Sequence, residues 1–201
     1  MSNSIVTETR GTSLIIRFNR PEIRNPLSVH VLEEIDATLE QIDPQIDKLI
    51  FTGVDGVFAS GADLREIANL GGESVRSFAE RGQWLMNTIS ALRVANFAAI
   101  DGPCYGGALD LALACENRIC SPRSTFCHPG AGLGIITGWG GTQRLPRLVG
   151  EANALEMFFS ASPIDAESAK GIGLVSEIVD DPLDYLTSAD FTSTSALENF
   201  E

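Results

Sequence analysis

Short apolar runs with strand composition alternate with segments of helical periodicity along most of the chain, and that alternation leaves few folds open. Residues 14–18, 49–52 and 97–100 are short, apolar and rich in branched or aromatic side chains, as buried strands are. Between the first two, Ser28 is a natural N-cap, and Leu32, Ile35, Leu39 and Ile42 recur at helical spacing up to Pro44. Phe78, Leu85, Ile89 and Leu92 repeat the pattern. Residues 107–116 are apolar on most sides, which predicts a buried helix. Short strands are expected at Ile119 and over 125–127, and helices over 142–149 and 151–159, parted by Gly150. A short helix over 164–169 and a last strand over 174–179 complete the series. Strands alternating with helices predict an α/β fold.

The 201 residues suffice for one large domain or two small ones, with a core that needs no disulfide. No apolar run approaches the ~18 residues of a membrane span, and the first residues lack the basic and apolar parts of a leader, so the chain is read as cytoplasmic. A net charge of −13 argues against binding nucleic acid, because no broad basic surface can displace counterions. The acid is uneven: Lys170 is the last basic residue, and seven acids follow it. Residues 1–180 are read as one domain and 181–201 as an acidic tail with the composition of a mobile one. Cys104, Cys115, Cys120 and Cys127 crowd one stretch without a C-x2-C pair, so they are read as buried small residues and no metal is expected.

Two glycine-rich stations carry the chemistry. In the first, Phe58-Ala59-Ser60-Gly61-Ala62-Asp63-Leu64, small residues let a ligand reach the backbone, and Asp63 is placed to cap the next turn. In the second, Asp101-Gly102-Pro103-Cys104-Tyr105-Gly106-Gly107-Ala108-Leu109-Asp110, a Gly-Gly pair opens the buried helix and offers free N–H groups at its N-terminus. Two backbone donors aimed at one point would form an oxyanion hole, which stabilises negative charge on a carbonyl oxygen. The spacing alone does not say whether the stations meet.

These residues resemble the crotonase, or enoyl-CoA hydratase/isomerase, family. Residues 19–27 (NRPEIRNPL) are similar to its opening element, and Gly61-Ala62-Asp63-Leu64 to its AGADL loop. Residues 101–116, 138–145 (GWGGTQRL) and 169–175 (AKGIGLV) resemble three further elements, in the family's order. The resemblance implies a spiral of ββα units, an acyl-CoA thioester as the small-molecule partner, and no cofactor beyond the CoA of that substrate. It implies that the amides of Ala62 and Gly107 form the oxyanion hole. By position, Glu22, Ile23 and Arg24 would line the CoA nucleotide together with Ala62, Asp63 and Leu64. Gln143 and Arg144 would be structural.

The sequence also departs from the family's pattern. Hydration of an enoyl thioester needs a base to activate water and an acid to protonate the α-carbon. Hydratases of the family use two glutamates. Asp110 matches the first but is one methylene shorter, and Gly130 stands where the second would be. His128, two residues earlier, is the nearest replacement base. Trp139 either shapes an acyl pocket or fills the core. With two histidines and no Gly-x-Ser-x-Gly elbow, a serine hydrolase is excluded. The C-terminal helical region is expected to be shortened, which removes the helices that close the acyl pocket and build a trimer-type homo-oligomer. The leading expectation is an enoyl-CoA hydratase/isomerase-like protein that stabilises a thioester enolate, with Ala62, Gly107 and Asp110 at its centre. The alternatives are decarboxylase-type enolate chemistry or a non-catalytic acyl-CoA-binding paralogue; a third is a structural protein with a decayed site.

Overall fold

The computed structural model describes residues 3–188. Its first hairpin, β1 (Ile5–Arg10) and β2 (Ser13–Phe18), turns on two residues, with Gly11 at φ +59°. β1 has no counterpart among the expected strands. Its mostly exposed IVTETR sequence suits a sheet edge and lacks an apolar run. From β2 onward the chain repeats one unit: a strand in a large sheet, a short strand beside it, then helix.

The first unit is β2, β3 (Pro26–Leu27) and α1 (Val29–Leu39). The second is β4 (Lys48–Thr52), β5 (Gly61–Ala62), α2 (Leu64–Ile67) and α3 (Glu73–Ser90). The third is β6 (Ala95–Ile100), β7 (Pro103–Tyr105) and α4 (Gly107–Ala114). The fourth is β8 (Asn117–Cys120), β9 (Thr125–Cys127), α5 (Gly130–Leu133), α6 (Gly141–Val149) and α7 (Glu151–Ser160). Then come β10 (Ile164–Asp165), α8 (Ala166–Gly171), β11 (Glu177–Ile178) and α9 (Pro182–Thr187). The large sheet runs β1-β2-β4-β6-β8-β11, parallel except for the first hairpin. The short strands pair as β3-β5 and as β10-β9-β7. This is the α/β spiral of ββα units expected from the resemblance.

Local chemistry explains most boundaries. The Ser28 side chain accepts from the Val31 amide and starts α1, as expected, although α1 ends at Leu39 rather than reaching Pro44. Residues 164–169 are not one helix: Ile164–Asp165 pairs with β9, and the Asp165 side chain then caps α8. The strand expected over 174–179 shrinks to Glu177–Ile178, because Leu174 and Val175 are buried against the helices before the chain joins β8. The segment read as a tail from residue 181 begins with α9, capped by Asp181 and with Leu186 fully buried. The packed body therefore runs through α9, and residues 189–201 of that expected tail lie outside the described residues.

The helices and the large sheet enclose the main core, with Phe18, Phe51, Phe58 and Phe126 fully buried. Ile15, Ile50, Phe97, Ala99 and Ile119 point to the sheet's other face, where Leu186 packs on them. All four cysteines are buried free thiols, and burial pushes those of Cys115 and Cys120 up to about 12. They pack as the small interior residues expected.

Candidate active site

The short strands bring the two glycine stations together. Ala59 of the first and Pro103 and Tyr105 of the second exchange backbone hydrogen bonds, Ala59 N to Pro103 O and Tyr105 N to Ala59 O, both at 3.1 Å. Gly61 is at φ +92°, and a Cβ there would lie 2.6 Å from the Tyr105 oxygen and 2.8 Å from the Gly107 nitrogen. Only glycine fits that approach. A Cβ on Gly107 would lie 3.3 Å from the Ala62 nitrogen, so the Ala62 and Gly107 amides are neighbours. Gly107 is the first residue of α4, where amides have no carbonyl within the helix to bond.

A cavity of about 260 Å³ opens on this junction. Ala62, Gly107, Asp110, His128, Gly130 and Trp139 line its inner part, and Leu64, Val75, Leu133 and Ile136 form an exposed apolar rim. Its wall is mainly apolar, as suits an acyl chain more than a charged ligand.

Asp110 is the carboxylate in this wall. It lies in the first turn of α4 and is 1 % exposed. Its Oδ2 accepts hydrogen bonds from the Thr137 hydroxyl and, at 3.3 Å, from the Trp139 amide. Its Oδ1 has no hydrogen-bond partner. Burial pushes the carboxyl up to about 6, partly offset by the Thr137 hydrogen bond and the charge of Arg144. The group therefore titrates near neutrality, where an acid–base residue works best. Thr137, which holds it, carried no signal in the sequence, because a lone threonine in an irregular stretch has no motif.

His128, at the end of β9, reaches the same spot. Its Nε2 is 3.8 Å from Asp110 Oδ1, and its ring packs tilted against Phe158 of α7, with ring centres 5.0 Å apart. Burial pushes the imidazole down to about 4, so it is neutral at physiological pH. Gly130 carries no proton-transfer group, and its backbone has closed over the space a side chain would need. A Cβ there would sit 2.6 Å from the Ile135 oxygen.

Trp139 occupies a slot cut by two glycines. A Cβ on either Gly82 of α3 or Gly107 of α4 would overlap its indole. The ring also packs at 5.4 Å on Phe78. Trp139 is thus both core and cavity wall. Arg144 donates to Asn87 Oδ1 at 2.8 Å and to the Trp139 oxygen at 3.3 Å, tying α6 to α3, the structural part expected of it. Gln143 lies on α6 outside this cavity.

The expected CoA-contact residues divide. Ala62 and Leu64 line the cavity. The Asp63 carboxylate caps α2 and pairs with the Arg65 guanidinium at 2.7 Å, which holds its acid below the usual range. That is the capping part read from the sequence. Glu22, Ile23 and Arg24 are exposed in and after a 3-10 turn and do not line the cavity. They stand beside it, because the Ser60 amide bonds to the Arg24 oxygen at 2.9 Å.

Comparison with known proteins places the chain by family and fold. The family model described as Enoyl-CoA hydratase/isomerase matches residues 8–195. A crotonyl-CoA hydratase of Syntrophomonas wolfei is 37 % identical over 179 residues, covering 88 % of this chain and 69 % of its own. A short-chain-enoyl-CoA hydratase of Clostridium acetobutylicum is 33 % identical over 200 residues, covering 98 % and 76 %. The crystal structure of an enoyl-CoA hydratase from Bacillus anthracis superposes with a TM-score of 0.85 at 33 % identity, over 98 % of this chain and 75 % of that one. The chain belongs to the enoyl-CoA hydratase/isomerase family.

Proposed function

We propose that the protein is an enoyl-CoA hydratase/isomerase-type enzyme whose substrate is an enoyl-CoA thioester. The observation that carries this reading is the meeting of the Ala62 and Gly107 amides beside a buried carboxylate, in one apolar cavity. In this reading the two amides hold the thioester oxygen. Negative charge that develops there during addition is met by fixed donors that need no reorganisation. Asp110 is the proton-transfer carboxylate, held on Oδ2 by Thr137 and Trp139, with its buried Oδ1 turned toward His128. The acyl chain lies against Trp139 and the apolar rim. The CoA part leaves past Leu64 toward the surface turn of Glu22, Ile23 and Arg24, where the Arg24 guanidinium suits a phosphate. The substrate carries its own CoA, so the reaction calls on no further cofactor.

Hydration of crotonyl-CoA, followed by loss of the enoyl absorbance, tests the reading. Asp110→Ala is expected to lower turnover at least about 100-fold while the protein stays folded. Turnover unchanged in that variant removes Asp110 from the chemistry. The closed backbone at Gly130 favours a second reading, enolate chemistry without a paired carboxylate, of which thioester decarboxylation is the example. Release of carbon dioxide from a malonyl- or methylmalonyl-CoA substrate, with crotonyl-CoA inert, would select it.

A further inference from the structure

Among the described residues, five buried side-chain polar atoms have no hydrogen-bond partner, and three of them belong to Asp110 and His128. Buried polar groups are nearly always paired, so such a concentration marks a functional place more often than a structural one. The unpartnered atoms of the two residues face each other: Asp110 Oδ1 and His128 Nε2 are 3.8 Å apart. They approach this closely because residue 141 is glycine. A Cβ there would overlap Asp110 Oδ1 and lie 3.1 Å from His128 Cε1. Both residues line the cavity that holds the Ala62 and Gly107 amides.

We propose that His128 is the second proton-transfer group of this cavity, working with Asp110 where Gly130 supplies none. The proposal rests on the hydratase reading above. The separation is too long for a direct hydrogen bond and both atoms are closed to solvent here, so the reacting water enters with the substrate and bonds to both of them. In the forward reaction, neutral His128 Nε2 takes a proton from that water as its oxygen bonds to the β-carbon. The π pair of the double bond moves toward the thioester oxygen. The Asp110 carboxylate accepts a hydrogen bond from the water's other O–H, which stays on the product hydroxyl, and offsets the imidazolium charge. The enolate then collapses, and Nε2 returns its proton to the α-carbon. One water has added across the double bond, and both side chains end as they began. The other ionisable groups that bear on Asp110 are few: the Arg144 guanidinium on α6 favours its charge, and the fully buried Cys104 thiol of β7 is coupled to it. Phe158 on α7 brings no ionisable group to His128, only an aromatic ring.

The test uses wild type, His128→Gln and Asp110→Asn, with crotonyl-CoA as substrate. Expected for His128→Gln is a fall in kcat of about 100-fold or more, a KM within about threefold, and loss of one limb of the pH–rate profile. The double variant should be little worse than either single one, because the two groups act as a unit. A merely structural histidine would lower thermal stability or raise KM and leave the profile's shape unchanged. A second readout needs no turnover. The chain has two histidines, so His128 and the exposed His30 are separable by NMR. Asp110→Asn should move the His128 ring resonances and their titration but leave His30 in place. Unmoved His128 resonances overturn the pairing. Wild-type kcat and profile retained in His128→Gln overturn the proton-transfer role alone. A wild type inert toward crotonyl-CoA defeats the hydratase reading and this role together.

Discussion

Burial shifts both Asp110 and His128 toward their neutral forms, and the consequences run in opposite directions. For Asp110 the ordinary value of 3.8 rises to about 6, so the folded protein binds more protons than the unfolded chain between those limits. Its contribution to stability therefore falls as pH rises from about 4 to 6. For His128 the ordinary 6.5 drops to about 4, so the unfolded chain binds more protons and stability rises with pH across about 4 to 6.5. The two slopes nearly cancel in the wild type. Asp110→Asn should expose the rising slope and His128→Gln the falling one, read as urea midpoints across that range; parallel slopes in the two variants would contradict the assignment. Near pH 8, Asp110→Asn should also be more stable than wild type by about 1–3 kcal/mol, because it removes a buried charge raised by some two pH units. Asp110 and His128 were both visible in the sequence, one from its motif position and the other as the nearest spare base. Their approach was not, because a 3.8 Å contact between α4 and the end of β9 depends on how two ββα units stack. Thr137 left no trace at all, since its effect lies in one hydroxyl direction.

At the scale of elements, α3, α4 and α6 meet through what is missing from them. The Trp139 indole needs both Gly82 and Gly107 to be bare, and Phe78 closes one side of its slot. A helix-interior glycine normally weakens its helix by about 1 kcal/mol relative to alanine. Gly82→Ala should nevertheless destabilise the protein by about 1–3 kcal/mol, since the new methyl must displace an aromatic ring. The displaced ring enters the cavity, so KM for crotonyl-CoA should rise several-fold. A variant more stable than wild type with unchanged KM would show that the slot is slack. The other end of α4 is closed by Arg118, which is buried without a carboxylate partner among its hydrogen bonds. Its guanidinium donates to the carbonyls of Ala112 and Cys115 at the end of that helix and to Leu174 ahead of β11. Arg118→Met should cost about 3 kcal/mol in urea unfolding, because those carbonyls lose their donor in a dry interior. The long amphipathic helices were legible because their apolar period is strong. The two-residue strands β3, β5 and β10 were not, since two residues have no period and pairing with neighbours defines them; β11 was expected, but as a longer strand.

The molecule as a whole is a sheet with two unequal faces. One face carries the helices of the spiral, the main core and the cavity. The other presents Ile15, Ile50, Phe97, Ala99 and Ile119, and α9 lies across it with Leu186 at the centre. The Lys48 ammonium at the start of β4 donates to the Leu186 carbonyl at 2.6 Å and fixes the end of that helix to the sheet. Acids dominate the sequence beyond Lys170 and suggested a tail, but the periodic pair Leu183 and Leu186 outweighs them locally, because a bare apolar sheet face lies within reach. The two faces should therefore separate experimentally. Leu186→Ala removes a fully buried side chain from the far face and should cost about 3 kcal/mol, a fall in Tm of about 6–12 °C. The cavity lies across the sheet, so kcat and KM for crotonyl-CoA at a temperature well below that Tm should stay within about twofold of wild type. A matching loss of kcat in Leu186→Ala would mean that the sheet transmits strain from one face to the other, and that α9 helps to set the spacing of Asp110 and His128.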